Sequence, residues 1–243
     1  MMAGYEFYHR KGNTVMNAQA IRKYPETMTS RERVNATLRF EKTDRVTIGY
    51  ESNPAIHVRL WIAVLNFANA FEPGGGVKLG CSAQEESLCR CSTLYPALAA
   101  TTKYYDWHNT HFTDKASDSL IYTENVTICK TDTEFPERMP EEKWVTVDVV
   151  TMAAPDLRTE LMDMPNAELY STHVSRATHM LSVAAEHEVD ILVLGAFGCG
   201  AFRNNPIIVA AAWNDALKWF WKTFDRVIFA IYGNEVNYRV FRK

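Results

Sequence analysis

Residues 66–92 read NFANAFEPGGGVKLGCSAQEESLCRCS and continue an apolar run that begins at Trp61. The run, residues 61–67, is apolar on both faces, which is typical of an interior strand of a parallel sheet. A glycine-rich turn and a helical pattern come next. Open α/β sheets bind ligands at such places, because unpaired backbone N–H groups point outward where strand carboxyl ends meet helix amino ends. The segment therefore predicts an α/β fold with a binding corner.

The corner contains three consecutive glycines, Gly74, Gly75 and Gly76, directly after Pro73. Glycine adopts positive φ without steric cost, so this run predicts a tight concave turn with exposed backbone amides. We expect a phosphate or a ribose to lie against that backbone. The alternative is a flexible surface loop, which a triple glycine by itself would favour.

The helix after the turn is expected to begin near Ser82. Ser82 and Glu85 fit a capping box, which gives Glu85 a structural explanation, whereas Glu86 has none. Consecutive helical residues point about 100° apart, so these glutamates cannot face each other across one bond. One would hold the substrate while the other acts as a general acid. The alternative for Glu86 is a solvated charge on the helix face.

A second glycine-rich corner occupies residues 195–206, GAFGCGAFRNNP. It follows another buried apolar run and opens a helix that Asn204 or Asn205 can cap, with Pro206 at the first helical position. Its glycines match neither the dinucleotide fingerprint nor the phosphate loop that ends in Gly-Lys-Ser/Thr. The pattern predicts an anion-binding turn.

The rest of the chain alternates strands with helices, which predicts an α/β sheet covered on both faces. The expected strands are residues 46–50, 61–67, 119–128, 144–152, 190–197 and 226–232, and the expected helices are residues 53–59, 83–99, 167–187 and 205–223. Residues 1–45 are polar and helical in pattern. We therefore expect a helical N-terminal extension over residues 1–45 and a single domain over residues 46–243.

Composition excludes several classes of protein. Hydrophobic residues make up 47% and charged residues 23%, which excludes disordered, collagen-like and coiled-coil chains. The longest apolar run, residues 207–213, is far shorter than the ~18 residues of a membrane span. The net charge of −3 argues against a protein that coats nucleic acid, although residues 1–45 carry nine basic and five acidic residues. Five cysteines without paired spacing favour reduced thiols, so we expect a soluble protein of the cytoplasm or nucleus.

Other clusters have structural interpretations that we prefer. Cys199 lies between glycines but not in a nucleophile elbow, so a nucleophilic role is disfavoured. The potential metal ligands of residues 106–114 lack helical periodicity and a completing cluster, which favours a polar surface loop. Cys89 and Cys91 are interpreted as packing residues. Four aromatic residues at helical spacing are interpreted as core: Trp213, Trp219, Phe220 and Trp221.

Three glycines, seven further residues and then Gln84, Glu85 and Glu86 resemble the signature of poly(ADP-ribose) glycohydrolases. Residues 66–69 (NFAN) and 87–92 (SLCRCS) resemble the microbial branch of that family, and the resemblance covers most of residues 46–243. It implies a macrodomain-like fold, a mixed sheet sandwiched between helices, that binds ADP-ribose across two loops. Neither a metal nor a cofactor is implied.

The resemblance also implies roles for individual residues. Glu86 would be the catalytic acid, Glu85 would hold the ribose hydroxyls, and Asn69 would bind the distal ribose. The second corner would wrap the diphosphate, and Phe202 would pack against the distal ribose, although a core aromatic explains Phe202 nearly as well. The expected substrate-binding set is Asn69, Gly74, Gly75, Gly76, Val77, Gln84, Gly195, Phe197, Gly198, Cys199, Gly200, Ala201 and Phe202, with Glu51 as the expected adenine contact.

The expected partner is poly(ADP-ribose) or an ADP-ribosylated macromolecule. Two alternatives remain open: a reader macrodomain that binds ADP-ribose without catalysis, and a hydrolase that removes ADP-ribose from a protein or nucleic acid base. Gln84, Glu85 and Glu86 argue against the reader, which would need no glutamate there. We expect a monomer without sequence-specific nucleic acid binding and without a membrane.

Overall fold

The computed structural model describes residues 60–158 and 164–242. Five strands form one sheet: β1 (Ile62–Phe67), β2 (Ile121–Ile128), β3 (Val145–Met152), β4 (Ile191–Leu194) and β5 (Arg226–Phe229). Their spatial order is β2-β3-β1-β4-β5. Four strands are parallel, and β2 pairs antiparallel with β3 at one edge. The predicted α/β fold with a mixed sheet is confirmed.

Helices cover both faces of this sheet. The central strand β1 is apolar on both sides, so each of its faces must be buried against a layer of helices. Ala63 and Leu65 belong to one core cluster, while Ile62 and Val64 pack against the other. The helices that supply these clusters, with a last helix near the C-terminus, are α1 (Gln84–Cys91), α2 (Leu94–Ala100), α3 (Thr102–Thr110), α4 (Asn166–Glu186), α5 (Pro206–Trp219) and α6 (Glu235–Phe241). The first core cluster lies under α4 and α5, and the second under α1, α2 and α3.

The single helix that we expect over residues 83–99 is in fact two helices. Ser92 interrupts it: the Ser92 hydroxyl donates to the Leu88 carbonyl over 2.6 Å and accepts from the Leu94 amide over 3.1 Å. Ser92 also forms a bridge to Ile128 of β2. A side chain that bonds local backbone in this way competes with helix continuation, and the break places α2 beside the antiparallel strand.

The prediction of a polar surface loop around residues 106–114 is wrong, because α3 occupies most of this segment. His108 is buried and bonds the Tyr104 carbonyl over 2.8 Å and the Ser117 hydroxyl over 2.9 Å. Tyr104 and His108 are one helical turn apart and share the buried face. His108 is therefore a satisfied core histidine.

The expected aromatic core on α5 is correct for only one tryptophan. Trp213 is buried, whereas Trp219 and Trp221 are 68% and 72% exposed. The helix ends at Trp219, and Phe220 directly after it is partly buried and packs against the core, as predicted. Cys89 and Cys91 are buried, as predicted.

Several predictions lie outside the described residues. These are the N-terminal extension over residues 1–45, the first expected strand, the helix over residues 53–59, and Glu51. The division at residue 45 stays a prediction. Within residues 60–158 and 164–242, none of the helices has the length and hydropathy needed to cross a bilayer.

Candidate active site

The two glycine-rich corners lie side by side at one edge of the sheet. They follow β1 and β4, which are adjacent and parallel, so their carboxyl ends meet there. The ring of Phe67 packs edge to face against Phe197, with centroids 6.0 Å apart. A Cβ on Gly195 would lie 2.7 Å from the Phe67 ring, which explains the glycine at the start of the second corner. The structure thus joins the two corners into one site.

At the start of α1, two consecutive side chains accept hydrogen bonds from the end of β1 and the residues after it. The Gln84 Oε1 atom accepts from the Phe67 backbone amide over 2.8 Å. The Glu85 Oε2 atom accepts from the Asn69 amide over 2.7 Å, and its Oε1 accepts from Asn66 Nδ2 over 3.2 Å. Both acceptors tie the first turn of the helix to the strand.

Glu86 is held differently, through the glycine turn. Its Oε1 accepts from the Gly76 backbone amide over 2.9 Å, and the residue is only 8% exposed. Its Oε2 is buried and has no hydrogen-bond partner in residues 60–158 and 164–242. A solvated charge on the helix face is therefore the wrong interpretation.

The capping box expected from Ser82 and Glu85 is not formed. The N-cap residue is Ala83, and no side chain caps this helix. Glu85 is only 3% exposed, and its carboxylate is already bonded to Asn69 and Asn66. The side chain points toward the strand rather than back along the helix, because its hydrogen-bond donors lie there.

The environment of Glu85 disfavours its charge. Burial raises the pKa of Glu85 to about 7; the bonds from Asn69 and Asn66 oppose this rise, and the charge of Glu86 adds to it. A buried carboxylate loses its hydration, so the neutral form gains relative stability. Glu85 is thus poised to titrate near neutral pH.

The glycine triplet shapes this acid pair. Gly75 has φ +56°, and a Cβ there would lie 2.6 Å from Glu86 Oε1 and 3.0 Å from Glu85 Oε2. Gly74 also has positive φ, at +71°. A side chain at Gly75 would occupy the space of both carboxylates, so glycine is required there for steric as well as conformational reasons.

The amides of Gly75 and Gly76 are used within the protein, which corrects the expectation that the amides of the triplet stay exposed. The Gly75 amide donates to the Glu72 carbonyl over 3.0 Å, and the Val77 amide donates to Gly74 over 3.1 Å. The Gly76 amide is bonded to Glu86. This turn supports the glutamates rather than presenting a row of free donors.

Free donors occur instead in the second corner. The backbone amides of Gly198, Gly200, Ala201 and Phe202 find no acceptor among the residues that the structure describes. Gly198 has φ +75° and packs against Ala154, which would clash with a Cβ at 2.7 Å. Free backbone amides in a glycine-rich turn can bind anions, so this corner is a candidate site for a diphosphate.

The second corner is fixed from both sides. Asn205 caps α5 by accepting from the Ile207 amide over 3.0 Å, and Pro206 occupies the first helical position, as predicted. The Asn204 Oδ1 atom accepts from His173 Nε2 over 2.7 Å, and the Asn204 Nδ2 atom donates to the Pro155 carbonyl over 2.7 Å. Burial lowers the pKa of His173 to about 4, so the ring stays neutral.

Cys199 does not suit nucleophilic chemistry. It is buried, and burial raises the pKa of its thiol to about 12. The thiolate is the reactive form, so the thiol is inert near neutral pH. Within the described ranges, 60–158 and 164–242, no cluster of three or more histidine, cysteine, aspartate or glutamate side chains could hold a metal.

Two residues that support this site, Asn66 and Arg158, are not among the predicted site residues. Asn66 is fully buried and donates to both Glu85 and Thr151. It is the one polar residue in an otherwise apolar strand, and that pattern in the sequence points to a role for its side chain. Arg158 lies over the Phe202 ring at 5.1 Å and bonds Asp156 over 2.8 Å. No sequence pattern pairs Arg158 with Phe202, because the contact joins two different loops.

Of the predicted site residues, those after β1 and β4 come together at this edge, and Glu51 lies outside the described residues. The Asn69 side-chain oxygen accepts from the amides of Phe71 and Glu72 over 2.7 and 3.0 Å, which holds the loop before the glycines. The ligand contacts assigned to individual residues stay predictions.

The model of the family described as microbial-type PARG, catalytic domain, matches residues 2–131, more than half of the chain. Solved structures are similar as well. The poly(ADP-ribose) glycohydrolase of Thermomonospora curvata is 32% identical over 76% of this chain and 68% of its own, with a TM-score of 0.68. Its complex with the inhibitor ADP-HPD is 29% identical over 86% of this chain and 75% of its own, also with a TM-score of 0.68.

The poly(ADP-ribose) glycohydrolase of Deinococcus radiodurans, in complex with ADP-ribose, is 35% identical over 75% of this chain and 74% of its own, with a TM-score of 0.66. A search of curated proteins finds no match.

Proposed function

Because this chain belongs to the microbial-type poly(ADP-ribose) glycohydrolase family, we propose that it hydrolyses the ribose–ribose O-glycosidic bonds of poly(ADP-ribose) and releases ADP-ribose. The observation that carries the proposal is the carboxylate of Glu86. One of its oxygens is held by the glycine turn, and the other is buried without a partner among the described residues. That arrangement suits a general acid that meets its partner only when substrate is bound.

Glu86 acts first as a proton donor. Cleavage of a glycosidic bond passes through an oxocarbenium-like state, and the departing ribose oxygen requires a proton. The protonated Glu86 gives its proton to that oxygen as the C–O bond breaks. The resulting carboxylate then takes a proton from the attacking water, which returns Glu86 to its starting state.

Glu85 and the second corner position the substrate. Glu85 lies beside Glu86 with both oxygens already accepting from the protein, and a carboxyl with a pKa near 7 can also donate to a ribose hydroxyl. The free amides of Gly198, Gly200, Ala201 and Phe202 hold the diphosphate. Fixing the diphosphate orients the scissile bond against Glu86, which lowers the entropic part of the barrier.

A reader macrodomain is the alternative from another class. Binding alone needs the free amides of the second corner but gives no role to a buried carboxylate oxygen without a partner. Burying a polar atom without a hydrogen-bond partner is costly, so Glu86 favours the hydrolase. Removal of ADP-ribose from a protein or nucleic acid would use the same acid and is a second substrate class for the same site.

The intracellular setting is also part of the proposal. All five cysteines are free, which fits a reducing compartment such as the cytoplasm or nucleus. We propose that the protein acts there as a monomer on poly(ADP-ribose) or on ADP-ribosylated macromolecules.

The experiment is to incubate the purified chain with poly(ADP-ribose) and follow free ADP-ribose by chromatography, beside a mono-ADP-ribosylated protein as a second substrate. Release of ADP-ribose from the polymer supports the proposal. Release from the modified protein alone would shift the substrate class, and tight binding of ADP-ribose without release from either would favour the reader.

A further inference from the structure

Gln84 bonds the backbone of β1 at two points rather than one. Its Oε1 accepts from the Phe67 amide over 2.8 Å, and its Nε2 donates to the Leu65 carbonyl over 2.7 Å. A side-chain amide that engages the N–H of one residue and the C=O of the residue two before it reproduces the pairing of a neighbouring strand.

The place of this contact explains why a side chain is needed. Successive amides of a strand point to opposite sides, and the Ala68 amide points to Met152 of β3. Phe67 and Leu65 therefore face the other side, toward β4. The ladder between β1 and β4 ends at Val64 and Val193, because β4 stops at Leu194 and turns into the second glycine corner.

The last backbone groups of β1 are thus left without a strand partner where the two corners separate. Buried backbone groups without partners cost free energy, so this position requires a substitute for β4. Gln84 supplies that substitute. Both ends of its amide are bonded to the backbone, an arrangement that suits an anchor better than a ligand contact.

The next two residues of the same helix are Glu85 and Glu86. Gln84 holds the first turn of α1 against β1. It therefore sets the position of both carboxylates along the helix axis and the direction in which they point around it. We infer that Gln84 is a positioning residue that takes the place of β4 on the end of β1 and thereby sets Glu85 and Glu86 for hydrolysis, an inference that rests on the proposed function. This differs from its expected role as a substrate-binding residue.

The variant that tests the inference is Gln84→Met, which keeps length and volume but removes both hydrogen bonds. Misplacing a catalytic group by about 1 Å can cost roughly 10²-fold in rate. We expect kcat on poly(ADP-ribose) to fall roughly tenfold or more, while the ADP-ribose dissociation constant stays within about twofold. A direct ligand contact predicts instead a weaker dissociation constant, and a purely structural role predicts a lower melting temperature with unchanged kcat. Either of those results would overturn the inference.

A second variant keeps the test open if Gln84→Met folds poorly. Gln84→Glu retains the acceptor for Phe67 but places a carboxylate oxygen against the Leu65 carbonyl, and only the protonated acid can donate there. We expect its kcat, relative to the wild type, to recover as the pH is lowered. A constant ratio across pH would contradict the inference.

The matched control is Ser87→Ala, on the same helix. The Ser87 hydroxyl bonds Asp132, away from β1, so we expect an unchanged kcat. Hydrogen exchange at the Phe67 amide provides a readout without activity: Gln84→Met should lose protection there, whereas Ser87→Ala should not. If the wild type releases no ADP-ribose, the proposed function fails, and the exchange rate still decides whether Gln84 anchors the strand.

Discussion

The backbone amide of Gly76 donates to Oε1 of Glu86 over 2.9 Å, which makes the glycine turn part of the acid's support. The turn and the helix therefore work as one unit. The glycines bring the backbone close enough to hold one carboxylate oxygen, and the other oxygen is buried without a partner among residues 60–158 and 164–242. Changes in the turn should affect catalysis through Glu86 before they affect the fold.

Gly75→Ala should lower hydrolysis by roughly 10²-fold, because its Cβ would lie 2.6 Å from Glu86 Oε1 and displace the acid. The matched control is Gly80→Ala. Gly80 also has positive φ, at +79°, but a Cβ there meets nothing within 4 Å. Both variants should lose about 1–2 kcal/mol of stability from the left-handed backbone, and only Gly75→Ala should lose activity. Equal activity in the two variants would show that the contact with Glu86 is unimportant.

Gly200→Ala tests the free amides of the second corner. A Cβ on Gly200 meets nothing within 4 Å, and its φ is outside the left-handed region, so the fold does not need a glycine there. The melting temperature should stay close to that of the wild type. The ADP-ribose affinity should fall about tenfold if the diphosphate lies against this backbone, a loss of about 1.4 kcal/mol measurable by calorimetry. Unchanged affinity would place the diphosphate elsewhere.

The ionisation of Glu85 should make folding less stable as the pH rises. The pKa of Glu85 is about 7 in the folded chain against an ordinary value of 4.5, so between these values the unfolded chain loses a proton that the folded chain retains. The stabilisation is fully present below about pH 4.5 and is lost by about pH 7, a change on the order of 3 kcal/mol.

Glu85→Gln removes this titration while retaining an acceptor for the Asn69 amide. The Asn66 amide can rotate so that its oxygen accepts from the new side chain. The stability of Glu85→Gln relative to the wild type should therefore rise between pH 5 and pH 7 and level off above it, as measured by urea unfolding at each pH. A relative stability that stays flat with pH would contradict the raised pKa.

Part of the site could be predicted because local sequence determines it. The glycine triplet and the spacing that follows it place Glu86 beside the turn, and Asn205 with Pro206 fixes the start of α5. Each of these features depends on residues close together in the chain. The order of strands in the sheet was not needed to find them.

The rest depends on contacts between distant residues. Ser82 and Glu85 satisfy the local pattern of a capping box, but Glu85 bonds Asn66 and Asn69, which only the fold brings near. The two bonds of Gln84 to β1 follow from the point where β4 ends, which the local sequence does not show. His108 falls in the segment that we expect to be a polar surface loop, although its spacing from Tyr104 places both residues on one buried helical face.

Glu86→Gln tests whether Glu86 is the general acid. The substitution keeps volume and hydrogen bonding but removes the ionisable proton, so ADP-ribose affinity and folding should persist. Single-turnover hydrolysis of poly(ADP-ribose) should fall by about 10²- to 10⁴-fold, as is typical when a general acid–base is lost. Glu142→Gln, an exposed glutamate before the amino end of β3, is the matched control and should keep wild-type activity. We expect Glu86→Gln to bind ADP-ribose tightly with hydrolysis nearly abolished, and full activity in that variant would show that Glu86 is not the general acid.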